Sequence, residues 1–374
     1  MVTKGSDQLK VAIVHDWLTN IGGAERVVES LLKAYPQADV YSSVYEESKL
    51  PQFKGRVTTS FLQHWPLSRR KHQLYPVLRT LAFESFDLSR YDIVISSSSA
   101  EAKGVITPTE TLHLSYIHTP VRYYWSNYNQ YIADPGFGAL NPLVRLVAPY
   151  FVGRMRRWDY AAAQRPDTLI ANSATVAKRV KKYYKRDAKV VHPPVDLGRF
   201  QISRATKGDY YLIVSRLVPY KRYDIAIQAC NKLGKRLVIA GSGSELKSLK
   251  KLAGPTVEFR GSLPEDEITR LYEGCRAFLF PAEEDFGITP LEAMACGKPV
   301  LAYGKGGATE TVLDGKTGLL FDRQTVGSLV GAIEESEAIA WDHSAIARHA
   351  ATFGEERFIR QVHEAVSALQ KYAH

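Results

Sequence analysis

Apolar residues in this chain alternate between short continuous runs and longer stretches where they recur every three or four positions. The runs predict strands and the periodic stretches predict amphipathic helices. In the first half, strands are predicted at Lys10 to Val14, Asp92 to Ser96, Thr111 to Ile117 and Thr168 to Ala171, with a helix from Ala24 to about Tyr35. In the second half they are predicted at Tyr210 to Ser215, Arg236 to Ala240, a run ending at Leu279 and Phe280, and Pro299 to Tyr303, with helices at Asp224 to Leu233 and from near Thr289. Strands alternating with helices argue for parallel sheets covered by helices, an α/β architecture.

Consecutive prolines continue neither element, so Pro193-Pro194 predicts a linker between about 192 and 208. The expected division is a first domain at 1–200, a second at 201–354 and a terminal segment at 355–374. That segment is amphipathic through Phe358, Ile359, Val362, Val366 and Leu369.

The chain's 374 residues suffice for two domains with their own cores. Met1 to Lys10 has no apolar leader region, and no stretch approaches the roughly 20 apolar residues of a membrane helix, so a cytoplasmic protein is expected. Cys230, Cys275 and Cys296 are odd in number and lie in apolar segments, which fits reduced core thiols.

The net charge of +10 is confined to the first half: residues 1–200 hold 27 Lys and Arg against 17 Asp and Glu, and residues 201–374 hold 22 of each. Its dense spots are Arg69-Arg70-Lys71, Arg154 with Arg156-Arg157, and Lys178 to Arg186. Such a half suits an anionic partner. The basic runs lack the interleaved aromatics of a single-strand binder, so no nucleic acid is expected, and an anionic membrane surface at its inner face is the favoured partner. Leu143 to Trp158 carries apolar residues and the trio Arg154, Arg156 and Arg157, but Pro149 and Gly153 are expected to shorten it into a partly buried helix.

Candidate chemistry clusters where strands end. Glu284 sits in a loop after the strand that ends at Phe280, and Glu292 lies eight positions on, one turn into a helix. Between them the amides of Gly287, Ile288 and Thr289 lie at the helix N-terminus, which favours an anion or sugar hydroxyls. One carboxylate can accept from a sugar and the other from a ribose. Arg216 follows a strand directly and Lys221 comes five residues later, where open α/β sheets bind ligands and where a leaving diphosphate needs its charge neutralised. Gly22-Gly23, in the loop after the first strand, allow close backbone approach to a phosphate or sugar. Gly241-Ser242-Gly243 is read as a strand-to-helix turn, and Gly306-Gly307 as shaping a wall of the site. No dinucleotide fingerprint is complete. His118 ends a strand before the bend at Pro120. Trp17, Tyr123 and Trp125, with Tyr124, are candidates for an acceptor platform or for core. Asn172 and Ser173 suit a helix cap first.

Glu284 and Glu292, Arg216 with Lys221, Gly22-Gly23, His118 and the Pro-Pro-Val-Asp stretch together resemble the retaining family 4 glycosyltransferases and their E-x7-E motif. That resemblance implies the GT-B fold: two Rossmann-like domains facing across a cleft, with the last helix crossing back onto the first. It implies that His118 lines the donor-sugar pocket, that Arg216 and Lys221 hold the diphosphate, and that Glu284 orients the sugar. It also implies that Gly22, Gly23, Phe286, Gly287, Ile288, Thr289 and Glu292 contact the donor. No D-x-D metal clamp is present, so no metal and no cofactor are expected. The segment from His118 to Trp125 looks most like bacterial mannosyltransferases of polysaccharide assembly. The expected reaction is therefore transfer of mannose from GDP-mannose to a saccharide, free or linked to polyprenyl diphosphate. A UDP-hexose is the alternative donor, with a non-catalytic sugar-nucleotide binder or an NAD-dependent oxidoreductase as remote alternatives.

Overall fold

The apolar runs become parallel strands, and the order of those strands positions everything that follows. In the computed structural model, which describes residues 9–66, 68–71, 75–126, 128–133, 141–202 and 208–372, the chain divides into two units. One comprises Met1–His192 and Phe358–His374, the other Pro193–Arg357.

The first unit holds β1 (Val11–His15), β2 (Asp39–Ser42), β3 (Val57–Thr59), β4 (Ile93–Ser98), β5 (Leu112–Ile117), β6 (Thr168–Ala171) and β7 (Lys189–Val190). They form one parallel sheet in the order β3-β2-β1-β4-β5-β6-β7. The order reverses between β1 and β4, and that reversal is where an open α/β sheet leaves a crevice at its carboxyl edge. There His15 stands opposite Ser97.

The second unit holds β8 (Tyr210–Val214), β9 (Arg236–Ala240), β10 (Val257–Gly261), β11 (Ala277–Phe280), β12 (Val300–Tyr303) and β13 (Gly318–Phe321). Their order, β10-β9-β8-β11-β12-β13, reverses between β8 and β11. Both sheets are covered by helices, as their unbroken apolar strands require.

The terminal helix, Glu355–Tyr372, belongs almost wholly to the first unit. Phe358, Val362, Ala365, Val366 and Leu369 join the core built by β1 and the helix Gly23–Ala34. Spacings of three and four put those side chains on one stripe, and each fully buried one contributes about 1.5–3 kcal/mol. The Phe358 ring lies 5.8 Å from Tyr116.

Two expectations change. The segment after Pro193 is not a free linker as far as it is described: Val195 and Phe200 are buried in the second unit's core, and Val195 N donates to Phe353 O at 3.0 Å. An extended Pro-Pro stretch leaves the next amides available for such a bond. The boundary thus falls at the first proline. Pro149 does not shorten its helix either, which runs from Asn141–Ala162 with the proline inside. Residues 203–207 and the side chains at 70, 71 and 143 lie outside the described residues.

Lys178, Lys181 and Lys182 of the basic run lie on the helix Ala174–Tyr184, which buries Val176, Val180 and Tyr184 and points those lysines outward. Ser173 caps it, its Oγ accepting from Val176 N at 3.1 Å.

Candidate functional site

In the first unit the reversal point is lined by imidazoles and hydroxyls. β4 ends in a run of serines, and a strand buried on both faces must pair such hydroxyls inside the fold. Ser97 does so with two histidines: its Oγ lies 2.8 Å from His118 Nε2 and 3.1 Å from His15 Nδ1. His118, one residue beyond β5, is placed there because its amide donates to Ser98 O at 2.9 Å. Burial pushes its pKa down to about 3, with His15 adding repulsion, so the ring is neutral.

His15 behaves oppositely. Burial disfavours its charge, but a hydrogen bond and the field of Glu25, helped by Asp16, raise its pKa. Glu25 Oε1 is 3.5 Å from His15 Nε2. Gly22 permits this: a Cβ there would lie 2.9 Å from Glu25 Oε2. Gly22 and Gly23, expected to face a donor, are exposed at the start of the helix Gly23–Ala34. Gly22 therefore also serves the carboxylate behind it. Asp16 is buried and accepts from the amides of Ser99, Ala100 and Ala102 at 2.5, 2.9 and 2.7 Å, which pins the turn after β4.

The second unit carries the charged pair. Lys221 ends the short 3-10 turn Pro219–Lys221 that follows β8, and its Nζ lies 2.5 Å from Glu284 Oε1 in the loop after β11. The ion pair thus spans the reversal point of the second sheet. Ser215 Oγ also accepts from Lys221 Nζ. Burial works against the ammonium, yet the neighbouring Glu284 carboxylate raises its pKa above the usual value. Arg216 is close enough to oppose that charge, is itself exposed, and has no ion pair among the described residues.

Glycines hold these loops together. A Cβ on Gly241 would meet Ser215 O at 1.8 Å and one on Gly243 would meet Leu217 O at 2.2 Å, so this turn clamps the strand-end segment that carries Arg216. Gly306 has φ +69, and its Cβ would meet Glu284 O at 2.3 Å. Gly307 N donates to Glu284 O at 2.8 Å, and a Cβ on Gly307 would fall 2.2 Å from Phe286 Cα.

Gly287, with φ +85, starts the helix Ile288–Ala295; Gly287, Ile288 and Thr289 are partly buried. Two expected donor contacts sit deeper. Glu292 is buried and its Oε2 accepts from Tyr272 OH at 2.8 Å. The Phe286 ring is in the core, 6.2 Å from Phe353. An apolar ring beside a helix start gains more from burial than from a polar ligand.

The aromatic candidates of the first unit have packing partners of their own. Trp125 stacks on Tyr183 at 5.0 Å and donates to Asp159 Oδ2 at 2.7 Å. Tyr123 OH accepts from Arg79 at 3.0 Å, and Tyr124 is buried. Trp17 is partly buried, with the Arg79 guanidinium 5.4 Å from its ring centre. Rings that follow a forced bend are held by the fold before any ligand arrives.

His15, Ser97, Glu25, Ser215 and Tyr272 were not singled out from sequence. His15 and Ser215 do follow the same signal that marked Arg216, a polar residue where an apolar strand ends. The four serines of Ser96 to Ser99 were a second signal, being hydroxyls in a buried strand. Among the described residues no group of three or more His, Cys, Asp or Glu is placed to hold a metal ion.

Two family models match consecutive stretches of the chain. One, described as Glycosyltransferase Family 4, matches residues 21–199, and the other, Glycosyl transferases group 1, matches 196–350. Among curated proteins, a D-inositol 3-phosphate glycosyltransferase of Nocardioides sp. is 31% identical over 48% of this chain and 52% of its own. A GDP-mannose-dependent alpha-(1-6)-phosphatidylinositol monomannoside mannosyltransferase of Mycolicibacterium smegmatis is 35% identical over 38% of this chain and 44% of its own. The chain thus spans about half the length of the curated relatives it matches. Among solved structures, Anabaena Alr3699/HepE in complex with UDP has a TM-score of 0.70 at 20% identity, covering 96% of this chain and 100% of that one. The sucrose-phosphate synthase of Thermosynechococcus elongatus has a TM-score of 0.70 at 16% identity, covering 98% and 100%.

Proposed function

The chain belongs to glycosyltransferase family 4 and has an α/β GT-B fold, and from that premise we propose that it is a retaining hexosyltransferase using GDP-mannose. The observation that carries this reading is the Lys221–Glu284 pair across the reversal point of the second sheet, with Arg216 exposed beside it. Two cations at the carboxyl edge suit a diphosphate. A carboxylate already tethered to one of them is held where it accepts from the hydroxyls of the sugar attached to that diphosphate.

In the proposed reaction the acceptor hydroxyl oxygen bonds to the anomeric carbon on the face the diphosphate leaves. The anomeric C–O bond to phosphate breaks as it does so, and a departing phosphate oxygen takes the hydroxyl proton. Arg216 and Lys221 neutralise the charge that develops, Glu284 orients the sugar and Glu292 meets the ribose. The amides at 287–289 and the loop at Gly22-Gly23 complete the donor contacts, and His118 lines the sugar pocket. No metal enters this scheme. The mycobacterial relative named for GDP-mannose supports the donor choice; the cyanobacterial structure holding UDP keeps a UDP-hexose as the competing reading.

Thermal unfolding with GDP, UDP, ADP, NAD and the mannose or glucose conjugates tests the donor. A ligand at 100 times its Kd adds about 2.7 kcal/mol. The expected result is stabilisation by GDP and GDP-mannose that survives EDTA. A response to UDP alone overturns the donor, a response abolished by EDTA overturns metal independence, and a response to NAD alone overturns the reaction class.

The acceptor is proposed to be a saccharide at a membrane, with Trp17, Tyr123 and Trp125 as its candidate contacts and the inner face of the bilayer as its place. The helix Asn141–Ala162 supports this. Its inner face buries Met155, Asp159 and Ala162, while Leu146 (78% exposed), Tyr150 (68% exposed), Arg154 and Arg157 share the outward stripe. Exposed apolar residues next to arginines, with the helix's single acid turned inward, suit an anionic lipid surface. No helix among the described residues is long and apolar enough to cross a membrane. Co-sedimentation should be strong with phosphatidylserine vesicles and lost with Leu146→Glu/Tyr150→Glu. Equal binding to pure phosphatidylcholine, or none at all, refutes the membrane reading.

A further inference from the structure

Hydrogen-bond chemistry around Ser97 assigns a proton that the reaction scheme leaves open. His15 Nδ1 lies 3.1 Å from the carbonyl oxygen of Ser97 and also 3.1 Å from its Oγ. A carbonyl only accepts, so the shared proton sits on His15 Nδ1. On the other side of that ring, a Glu25 carboxylate oxygen 3.5 Å away also only accepts, which places the second His15 proton on Nε2. Ser97 Oγ is therefore an acceptor toward His15, and its own hydrogen is directed to the remaining partner, His118 Nε2 at 2.8 Å.

We propose that Glu25, His15 and Ser97 act as positioning residues that lock His118 in the Nδ1–H tautomer, with Nε2 committed as an acceptor. All four residues are buried, and no other hydrogen bond to the His118 ring is present among the described residues. His118 then presents its Nδ1–H as a neutral donor, suited to an oxygen acceptor such as a sugar hydroxyl or a carbonyl. Its depressed pKa agrees, because a second proton would have to enter at the nitrogen that Ser97 occupies. The relay runs from the helix Gly23–Ala34 through the ends of β1 and β4 to the end of β5, so tertiary packing holds a proton choice that an isolated histidine leaves to solvent.

The inference rests on His118 as a site residue only for its consequence in turnover; the tautomer is read without turnover. In uniformly 15N-labelled protein at pH 7, ring nitrogen shifts and one-bond N–H couplings distinguish the two tautomers, and His118→Gln identifies the signal. The wild type should show Nδ1 protonated and Nε2 bare. Ser97→Ala should move His118 toward the Nε2–H form common in free imidazole, and Ser97→Thr should restore the wild-type pattern. If the site reading is also right, Ser97→Ala lowers kcat about three- to tenfold, the scale of one hydrogen bond, and Ser97→Thr recovers it. A wild-type His118 protonated at Nε2, or an unchanged tautomer in Ser97→Ala, overturns the relay. The wild-type spectrum decides even where the alanine variant fails to fold. Loss of glycosyl transfer with the expected tautomer intact would count against the function alone.

Discussion

Replacing Lys221 with alanine should lower kcat by about 10²–10³, the magnitude typical for removal of one preorganised charge-stabilising donor. The expectation follows from position: Nζ is held by Ser215 Oγ and by Glu284 at 2.5 Å, so its location is set before a substrate binds. A donor fixed in advance does not reorganise as charge develops on a leaving phosphate. Arg216→Ala should lower kcat by a similar factor through a different route. Arg216 is exposed and has no ion pair among the described residues, so its loss should leave folding untouched. Lys221→Ala, in contrast, removes one member of the part-buried Lys221–Glu284 ion pair and should also lower the melting temperature. The two variants are separable by steady-state turnover of the donor together with melting temperature. Near-unchanged turnover in either removes that residue from the clamp.

Asp159→Ala should destabilise the first unit by about 3–5 kcal/mol, the cost of stripping one member from a buried ion pair. Its Oδ1 lies 2.5 Å from Lys103 Nζ, and both side chains are almost wholly enclosed. Its Oδ2 accepts from Trp125 Nε1 at 2.7 Å and from Tyr184 OH at 2.9 Å. The alanine variant therefore leaves a buried ammonium whose described polar contact is Ala100 O, together with two donors that lose their acceptor. Lys103→Met/Asp159→Leu removes both charges and should recover much of the loss, because two apolar side chains carry no desolvation cost. Denaturant unfolding followed by tryptophan fluorescence reads this directly, since Trp125 reports on the site. A loss below about 1 kcal/mol for Asp159→Ala contradicts the assignment. This carboxylate joins the helix Asn141–Ala162, the turn after β4 and the helix Ala174–Tyr184, so its loss should also weaken the proposed lipid-facing helix.

Much of the architecture was legible because it is locally encoded. Thr168–Ala171 and Arg236–Ala240 have the ends that their apolar runs predict, and Tyr210–Val214 and Val300–Tyr303 differ by one residue. In a parallel sheet every strand leads to the same edge, so a residue that follows a strand is placed at that edge without knowledge of the partner strands. That is why His118, Arg216, Lys221 and Glu284 stood out as candidates. The stripe of Phe358, Val362, Val366 and Leu369 was equally visible, since a period of 3.6 is written into any amphipathic helix.

Partnership was not legible. Which strands flank each reversal point depends on crossover connections, and only that order brings Ser97 between His15 and His118, or Lys221 to Glu284 across 63 positions of sequence. Facing was likewise decided by packing: the Phe286 ring went to the core and Glu292 to Tyr272 OH, although both lie in the stretch that sequence marked most strongly. Pro149 marks the same boundary from the other side. A local rule ended the helix there, yet the helix continues, because the contacts of Asp159 and Met155 farther along hold its second half against the fold. By itself the sequence determined the elements, their α/β alternation and the edge at which the candidate residues lie, since these follow from periodicity and chain direction. The tertiary structure alone decided which side chains meet and which atom carries a proton, since those depend on contacts between residues far apart in the chain.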